Sequence, residues 1–494
     1  MGIIIRQSIK GTLVTYIGAF IGFLTTFFIL TKFLSAEEIG LTRVLFEAAS
    51  LLCGFALFGV SSSAIRFFPY FKSEDGKNNG FFFYLMAFPF IGSIIFIVLY
   101  FLLREPITSL FIKNSPLFVD YYNWVPPLMI FLLYWMVFEI YSSLLLRIAV
   151  PKLIREIILR LLLIIIYLLY AFDIVSIDGF IAGYISVYAI SMLIAFYYVS
   201  KIGSVSLKHD PSFITPDLRK QVLNYTLVWI IGALGGNIVS RLDLFMVGSH
   251  LGLDYAGIYS IAFYIVAVIE IPSRSIAAIS SPLASSALKE GDTDTVNHLY
   301  RKVSLHQLMI GGFVFLLIWI NIDNIFALIP NGEIYTKGKW VVFFLALAKL
   351  IEVTLNFGNT LISFSRYYHW GLYFTFFITA LAIVFNNWLI PIFGVTGAGI
   401  ATTLTCLLSY GVQQWLVQVK IRSNPISLKM LQLIALFLLV MGINYLLPKY
   451  HIIILDSLYR SIIVAASFCL LIYFFNISEE VNSLVKSMIN KIHS

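Results

Sequence analysis

Charge is what this sequence has least of. Only 12% of its 494 residues are Asp, Glu, Lys or Arg, against about 25% in a typical soluble domain, and mean hydropathy is +0.93. That deficit excludes an ordinary water-soluble protein. Cysteine is nearly missing: Cys53, Cys406 and Cys469 stand far apart in apolar runs, so neither a disulfide framework nor a metal-spaced cluster is expected. The seven histidines are scattered and form no HExxH, which argues against a metal site. The nearest approach to a phosphate loop, GEIYTKGKW at 332–340, has one residue too many between its glycines. It also places Trp340 where Ser or Thr should meet the metal. No cofactor is therefore expected. Large polar loops are absent as well, the longest running to roughly 15–20 residues. A membrane glycosyltransferase or polymerase needs a large loop with catalytic carboxylates, so transport is expected rather than enzyme activity.

What the sequence has instead is apolar runs of about 20 residues, each long enough to cross a hydrocarbon core of about 30 Å. Polar breaks divide them into about fourteen spans. These fall near 11–31, 40–63, 80–103, 122–144, 153–172, 178–200, 221–247, 256–281, 304–322, 340–362, 367–390, 396–418, 428–447 and 458–475. The expected class is an all-α polytopic membrane protein. The first run is too long for a cleavable signal and has no small-residue cleavage site after it. The net charge of +8 resides in loops between spans, so no nucleic-acid partner is expected. Alternate loops hold about 23 and about 9 Lys/Arg, which places both termini on the cytoplasmic side.

An internal repeat is visible. FLSAEEIGLT at 33–42 aligns with HLGLDYAGIY at 250–259, matching Leu34 with Leu251, Glu37 with Asp254 and Gly40 with Gly257. The same 217-residue offset pairs Lys72 with Lys289 and Asp75 with Asp292, and an offset of 218 pairs Gly179 with Gly397. A repeat of six spans returns the chain to the same side of the membrane, so the halves are parallel repeats about an axis along the membrane normal. The expected organisation is an N-terminal six-helix lobe over 1–210, a second over 211–422, and two added helices with a cytoplasmic tail over 423–494. Two GxxxG pairs, Gly18/Gly22 and Gly232/Gly236, allow close helix approach.

Charges inside spans cost about 2.5–3.5 kcal/mol each on insertion scales, so they face a bundle interior or a hydrated cavity. Arg43/Glu47 and Glu270/Arg274 share i, i+4 spacing and one helix face each. Arg241 and Asp243 are two apart, point to nearly opposite faces, and must find partners elsewhere. Lys349, Glu352, Asn356, Asn359 and Ser363 form a polar stripe with spacings that keep one face. Glu139 and Arg160 add single charges, Arg66 and Arg160 stand close enough to the cytoplasmic boundary to snorkel, and Pro272 can kink its helix. Tyr367, Tyr368 and Trp370 sit where an interfacial belt is expected. Together the charges point to a mainly cationic cavity for a phosphate or pyrophosphate group, held by Arg43, Arg241, Arg274 and Lys349. Glu47, Asp243, Glu270 and Glu352 are candidates for ion coupling or intramembrane pairing, and Asn356 and Asn359 for a polar cavity face.

Three stretches carry a family resemblance: FLSAEEIGLTRV at 33–44, SRLDLFMVGSHLGLDYAGIYSIAFYI at 240–265 and PIFGVTGAGIATTLT at 391–405. With the length, span count and repeat, they resemble the polysaccharide flippases, bacterial exporters of O-antigen and capsule repeat units. These belong to the multidrug/oligosaccharidyl-lipid/polysaccharide exporter superfamily. The resemblance implies a two-lobed, alternating-access transporter in the inner membrane. Its substrate would be an undecaprenyl-pyrophosphate-linked oligosaccharide, and its partners a polysaccharide polymerase and glycosyltransferases. Two relatives within the superfamily remain as alternatives. A lipid II flippase is implied to carry basic residues in its first helix, and residues 11–31 hold none. A Na⁺- or H⁺-coupled multidrug extruder is implied to need a carboxylate deep in a lobe, and the first span has none.

Overall fold

The computed structural model describes residues 3–73, 78–203, 205, 215–367, 369–479 and 482–483, and every regular element among them is helical. In lipid this is the expected outcome, because a helix satisfies its own backbone donors and acceptors where no water can. Eleven helices among the described residues are long and apolar enough to cross a membrane. The three other expected spans fall on the helical run 149–171, on Pro216–Leu251 and on Leu428–Leu446. The protein is thus an all-α, multi-pass membrane protein. It divides into two compact units, residues 1–260 and 261–494.

In the first unit, α1 (Ile3–Leu24) lies against the run 149–158. Gly18 faces the backbone of Glu156 and Gly22 faces the Arg160 guanidinium, so this GxxxG pair does mediate a close approach. Gly232/Gly236 lie where packing is outside the described residues. The central helix is α2 (Ala36–Ala56), which continues as α3 (Val60–Phe71) after a break where Phe58 and Gly59 take φ of 46° and 65°. It packs on α4 (Phe81–Leu102) and α5 (Val125–Leu144). Beyond these, α6 (Leu159–Ala171) pairs with α7 (Ile177–Ile202), α7 covers α5, and α8 (Pro216–Leu251) also runs along α2.

Some helix ends in this unit are held by side chains, which satisfy part of the orphan groups at each end. Ser35 and Glu38 form a reciprocal capping box at the start of α2, at 3.2 and 2.8 Å. At the repeat-matched position stands Gly252, with φ +110°, joining α8 to α9 (Leu253–Ala267). The last carbonyls of α8 are capped from a distant loop: Ser115 donates to Gly248 O at 2.7 Å, and the Asn114 amide donates to His250 O at 2.8 Å.

The matched glycines of the repeat meet one another's helices. A Cβ on Gly40 would overlap the carbonyl of Leu253, and one on Gly257 would overlap the carbonyl of Ala36. Residues 36 and 253 are themselves 217 apart, so the contact is reciprocal. Because the obstacle is backbone, no side chain can swing away, and Gly40→Ala or Gly257→Ala should each destabilise by about 1–3 kcal/mol. Equilibrium unfolding in mixed micelles reads this; wild-type stability in both variants would show that the helices separate freely.

In the second unit, α10 (Ile271–Glu290) and α11 (Thr293–Ile320) pack side by side. Asp292 caps α11 by accepting from the Thr295 N–H at 2.9 Å. Hydrogen bonding with Thr295 holds its carboxyl below the usual range. Its repeat partner, Asp75, lies outside the described residues. Next, α12 (Lys339–Leu355) is followed directly by α13 (Phe357–Phe364). The pair α14 (Trp370–Phe393) and α15 (Val395–Ile421) packs closely, and α15 also runs along α12. The final helices, α16 (Leu428–Leu446) and α17 (Ile453–Phe474), lie on α11. Met309, Leu316, Leu433, Val440, Val464 and Phe468 form their shared core. In a bilayer such contacts hold by dispersion and shape, since lipid tails are as apolar as leucine.

Candidate functional site

The intramembrane charges of the second unit converge. Two spans that carry them change helical geometry close to the charges. Between α9 and α10 the chain passes through a 3₁₀ turn at Val268–Glu270, with Pro272, which has no N–H to donate, in the first turn of α10. Between α12 and α13 stands a turn at Asn356. The Leu355 carbonyl at that turn accepts from the Tyr300 hydroxyl at 3.3 Å and the Gln413 amide at 3.4 Å. Asn356 keeps right-handed helical dihedrals and its N–H donates to Glu352 O at 2.8 Å, so the span continues through this turn to Phe364; polar groups at membrane depth are tolerated where they line a cavity.

Such a cavity is present. Its volume is about 70 Å³, enough for several water molecules, and its polar lining is Glu270, Ser273, Gln307, Glu352, Asn356 and Thr360. At its rim Lys349 Nζ bridges two carboxylates, lying 2.8 Å from Glu352 Oε2 and 3.3 Å from Glu270 Oε2. Arg274 Nη2 is 3.3 Å from Glu270 Oε1, and its side chain is 71% exposed against 21% for Lys349. The structure thus brings together Glu270, Arg274, Lys349, Glu352 and Asn356. Asn359 is exposed one turn further on, and its carbonyl accepts from Ser363. The expected single stripe therefore lines the cavity only as far as Asn356. It is also charge-balanced: two cations face two carboxylates, where a mainly cationic lining was expected.

The first unit has a separate constellation. Arg241 of α8 forms an ion pair with Glu47 of α2. Its Nε is buried with no hydrogen-bond partner among the described residues. Asp243, on the other face of α8, accepts from the buried Tyr259 hydroxyl of α9 at 3.1 Å. The two-residue spacing separates the charges as expected. Arg43, half-buried, stands one turn before Glu47. The expected Arg43/Glu47 neighbours thus share their face with a cation 194 residues away, which only the crossing of α8 over α2 supplies.

Several single charges have packing roles. Arg160 donates to the Gly18 carbonyl and pairs with Glu156 at 2.8 Å, so it fastens α6 to α1 rather than snorkelling. Glu139 pairs with Arg155 at 3.4 Å, next to Trp135. Arg66 stacks over the Tyr225 ring at 4.4 Å. Tyr367 lies beneath Arg366 and Lys420, Trp370 is exposed, and Tyr368 lies outside the described residues. One network had no counterpart in the sequence reading. Asp456 and Arg460 of α17 form an ion pair at 2.7 Å, each side chain only 4% exposed. Asn324 and the Tyr450 N–H donate to Asp456, while Arg460 donates to Asn444 Oδ1 and to the carbonyls of Leu447 and Pro448. The i, i+4 spacing was available as a signal, but a span starting at 458 left Asp456 in a loop.

No family model matches the chain. It is similar to the probable low-salt glycan biosynthesis flippase Agl15 of Haloferax volcanii, at 25% identity over 210 residues. That match spans 42% of this chain and 43% of the relative, less than half of each. Among solved structures it is similar to the lipid II flippase MurJ in an inward closed conformation, with TM-score 0.74 and 14% identity over 95% of this chain and 100% of that one. It is also similar to an inward-facing multidrug resistance MATE family transporter of the MOP superfamily, with TM-score 0.60 and 14% identity over 85% and 98% of the two chains. These identities speak to architecture: the chain has the fold shared by MurJ and the MATE transporters of the MOP superfamily.

Proposed function

We propose that this protein is a flippase that carries a prenyl-pyrophosphate-linked oligosaccharide across the membrane by alternating access. The observation that carries this reading is the polar cavity of the second unit, with Lys349 and Arg274 paired to its carboxylates at the rim. Sugar hydroxyls cannot enter hydrocarbon without losing their hydrogen bonds, and a pyrophosphate needs cationic donors. The likeness to a glycan biosynthesis flippase supports the same substrate class. In this reading the repeat lobes are 1–210 and 211–422, with 423–494 as an extension. Both termini are cytoplasmic, and the membrane is the cytoplasmic (inner) one. The lipid carrier is undecaprenyl, and a polysaccharide polymerase and glycosyltransferases act beside it.

One observation favours a second reading. The same cavity presents two carboxylates, Glu270 and Glu352, which suit the organic cation or coupling ion of a multidrug extruder. Export assays separate the two. Arg241→Ala and Arg274→Ala should each reduce surface polysaccharide several-fold while the protein stays folded and inserted. If both variants export normally and the wild type confers resistance to cationic drugs, the flippase reading fails. Reconstituted flipping of lipid II against a lipid-linked oligosaccharide separates those two substrates.

A further inference from the structure

The charge balance at the cavity rim constrains how anything anionic can bind there. Lys349 is shared between Glu352 and Glu270, and Glu270 also holds Arg274. Two carboxylates and two cations leave no surplus positive charge in this set. Other groups face it from neighbouring helices. Tyr410 of α15 is within electrostatic reach of both carboxylates, with Tyr300 and Cys406 near it. Gln307 of α11 is uncharged and lines the cavity. None of these supplies a third cation.

A phosphate oxygen that takes Lys349 and Arg274 must withdraw them from the carboxylates. Glu270 and Glu352 then remain partly buried, in a membrane-spanning bundle, with their counter-charges turned towards another anion. A carboxylate in that position holds a proton more tightly, because both desolvation and the neighbouring negative charge disfavour its ionised form. Linkage then works in both directions: whatever raises the proton affinity of the pair on anion binding also raises anion affinity on protonation.

We propose that Glu270 and Glu352 form a proton-binding site that fills as a pyrophosphate diester occupies Lys349 and Arg274. This rests on the lipid-linked reading of the same cavity. The sign follows from the two states. The carboxylates protonate at higher pH in the anion-bound state than in the free one. Anion affinity is therefore highest below the free-state range, falls as pH rises through the interval between the two, and levels off above it. Within that interval each proton taken up changes affinity about tenfold per pH unit. The proton comes from water and ends on a carboxylate oxygen, so substrate and proton occupy the site together.

The test uses the full chain in nanodiscs and a short-prenyl pyrophosphate diester bearing one N-acetylhexosamine, which has no proton of its own to exchange near neutral pH. Calorimetry in two buffers of different ionisation heat counts protons without any mutation. Uptake of about one proton per diester is expected, with tightening of about tenfold per unit fall in pH. The Glu270→Gln/Glu352→Gln double variant should bind with neither uptake nor pH dependence. Diester binding that needs Lys349 but takes up no proton at any pH overturns the linkage and leaves the flippase reading intact. Absence of binding, or binding indifferent to Lys349→Gln and Arg274→Gln, overturns the anion site and the linkage with it.

Discussion

Arg460→Met should cost the folded protein about 3–5 kcal/mol, the range for breaking one side of a buried ion pair. Arg460 donates to Asp456, to the Asn444 side chain and to the carbonyls of Leu447 and Pro448. Its loss leaves the buried Asp456 carboxylate without its counter-charge and takes a donor from three further acceptors. Asp456 keeps the Asn324 amide and the Tyr450 N–H, which soften the loss without supplying a counter-charge. The double variant Asp456→Leu/Arg460→Met should recover a good part of the stability, since an apolar pair of similar volume often replaces a buried bridge at little cost. Unfolding in mixed micelles measures both. A single-variant loss under about 1 kcal/mol, in the range of an exposed pair, would place the network at the periphery of the fold.

Lys349→Gln should lower transport about tenfold or more, the equivalent of one hydrogen bond to a charged group lost from the bound state. It removes the cation that Glu270 and Glu352 share, leaving Arg274 to compensate both from an exposed position. Lys349→Arg keeps the charge but replaces a compact ammonium by a planar fork, and should fall between the two. Flipping in proteoliposomes, normalised to inserted protein, gives the comparison. Equal rates for wild type and Lys349→Gln would remove the cavity rim from the transport path.

Much of the architecture was legible because hydropathy marks spans wherever backbone must satisfy itself. Fourteen apolar runs correspond to helical segments of the chain. Helical spacing also predicted the separation of Arg241 from Asp243 and the pairing of Glu270 with Arg274. What stayed hidden depends on distant elements meeting. Glu47 finds Arg241, and Lys349 finds Glu270, across helices far apart in sequence. A tally of cations therefore suggested a positive cavity, whereas the packing sets Arg241, Arg274 and Lys349 each against a carboxylate. The turn at Asn356 was hidden for another reason. No proline or glycine stands at that residue, and the Leu355 carbonyl there accepts from Tyr300 and Gln413 of other helices.

The reciprocal contact of Gly40 and Gly257 has the form of a two-fold interface. When a surface patch meets its own copy across a two-fold axis, residue i touches residue j and j touches i. That relation holds here within one polypeptide: position 40 meets 253 and position 257 meets 36, each helix start against the other's glycine. Both glycines serve the contact, while Ser35 caps one helix and Gly252 stands at the matching position before the other. Each glycine therefore closes one side of a single contact, and enlarging either one opens both.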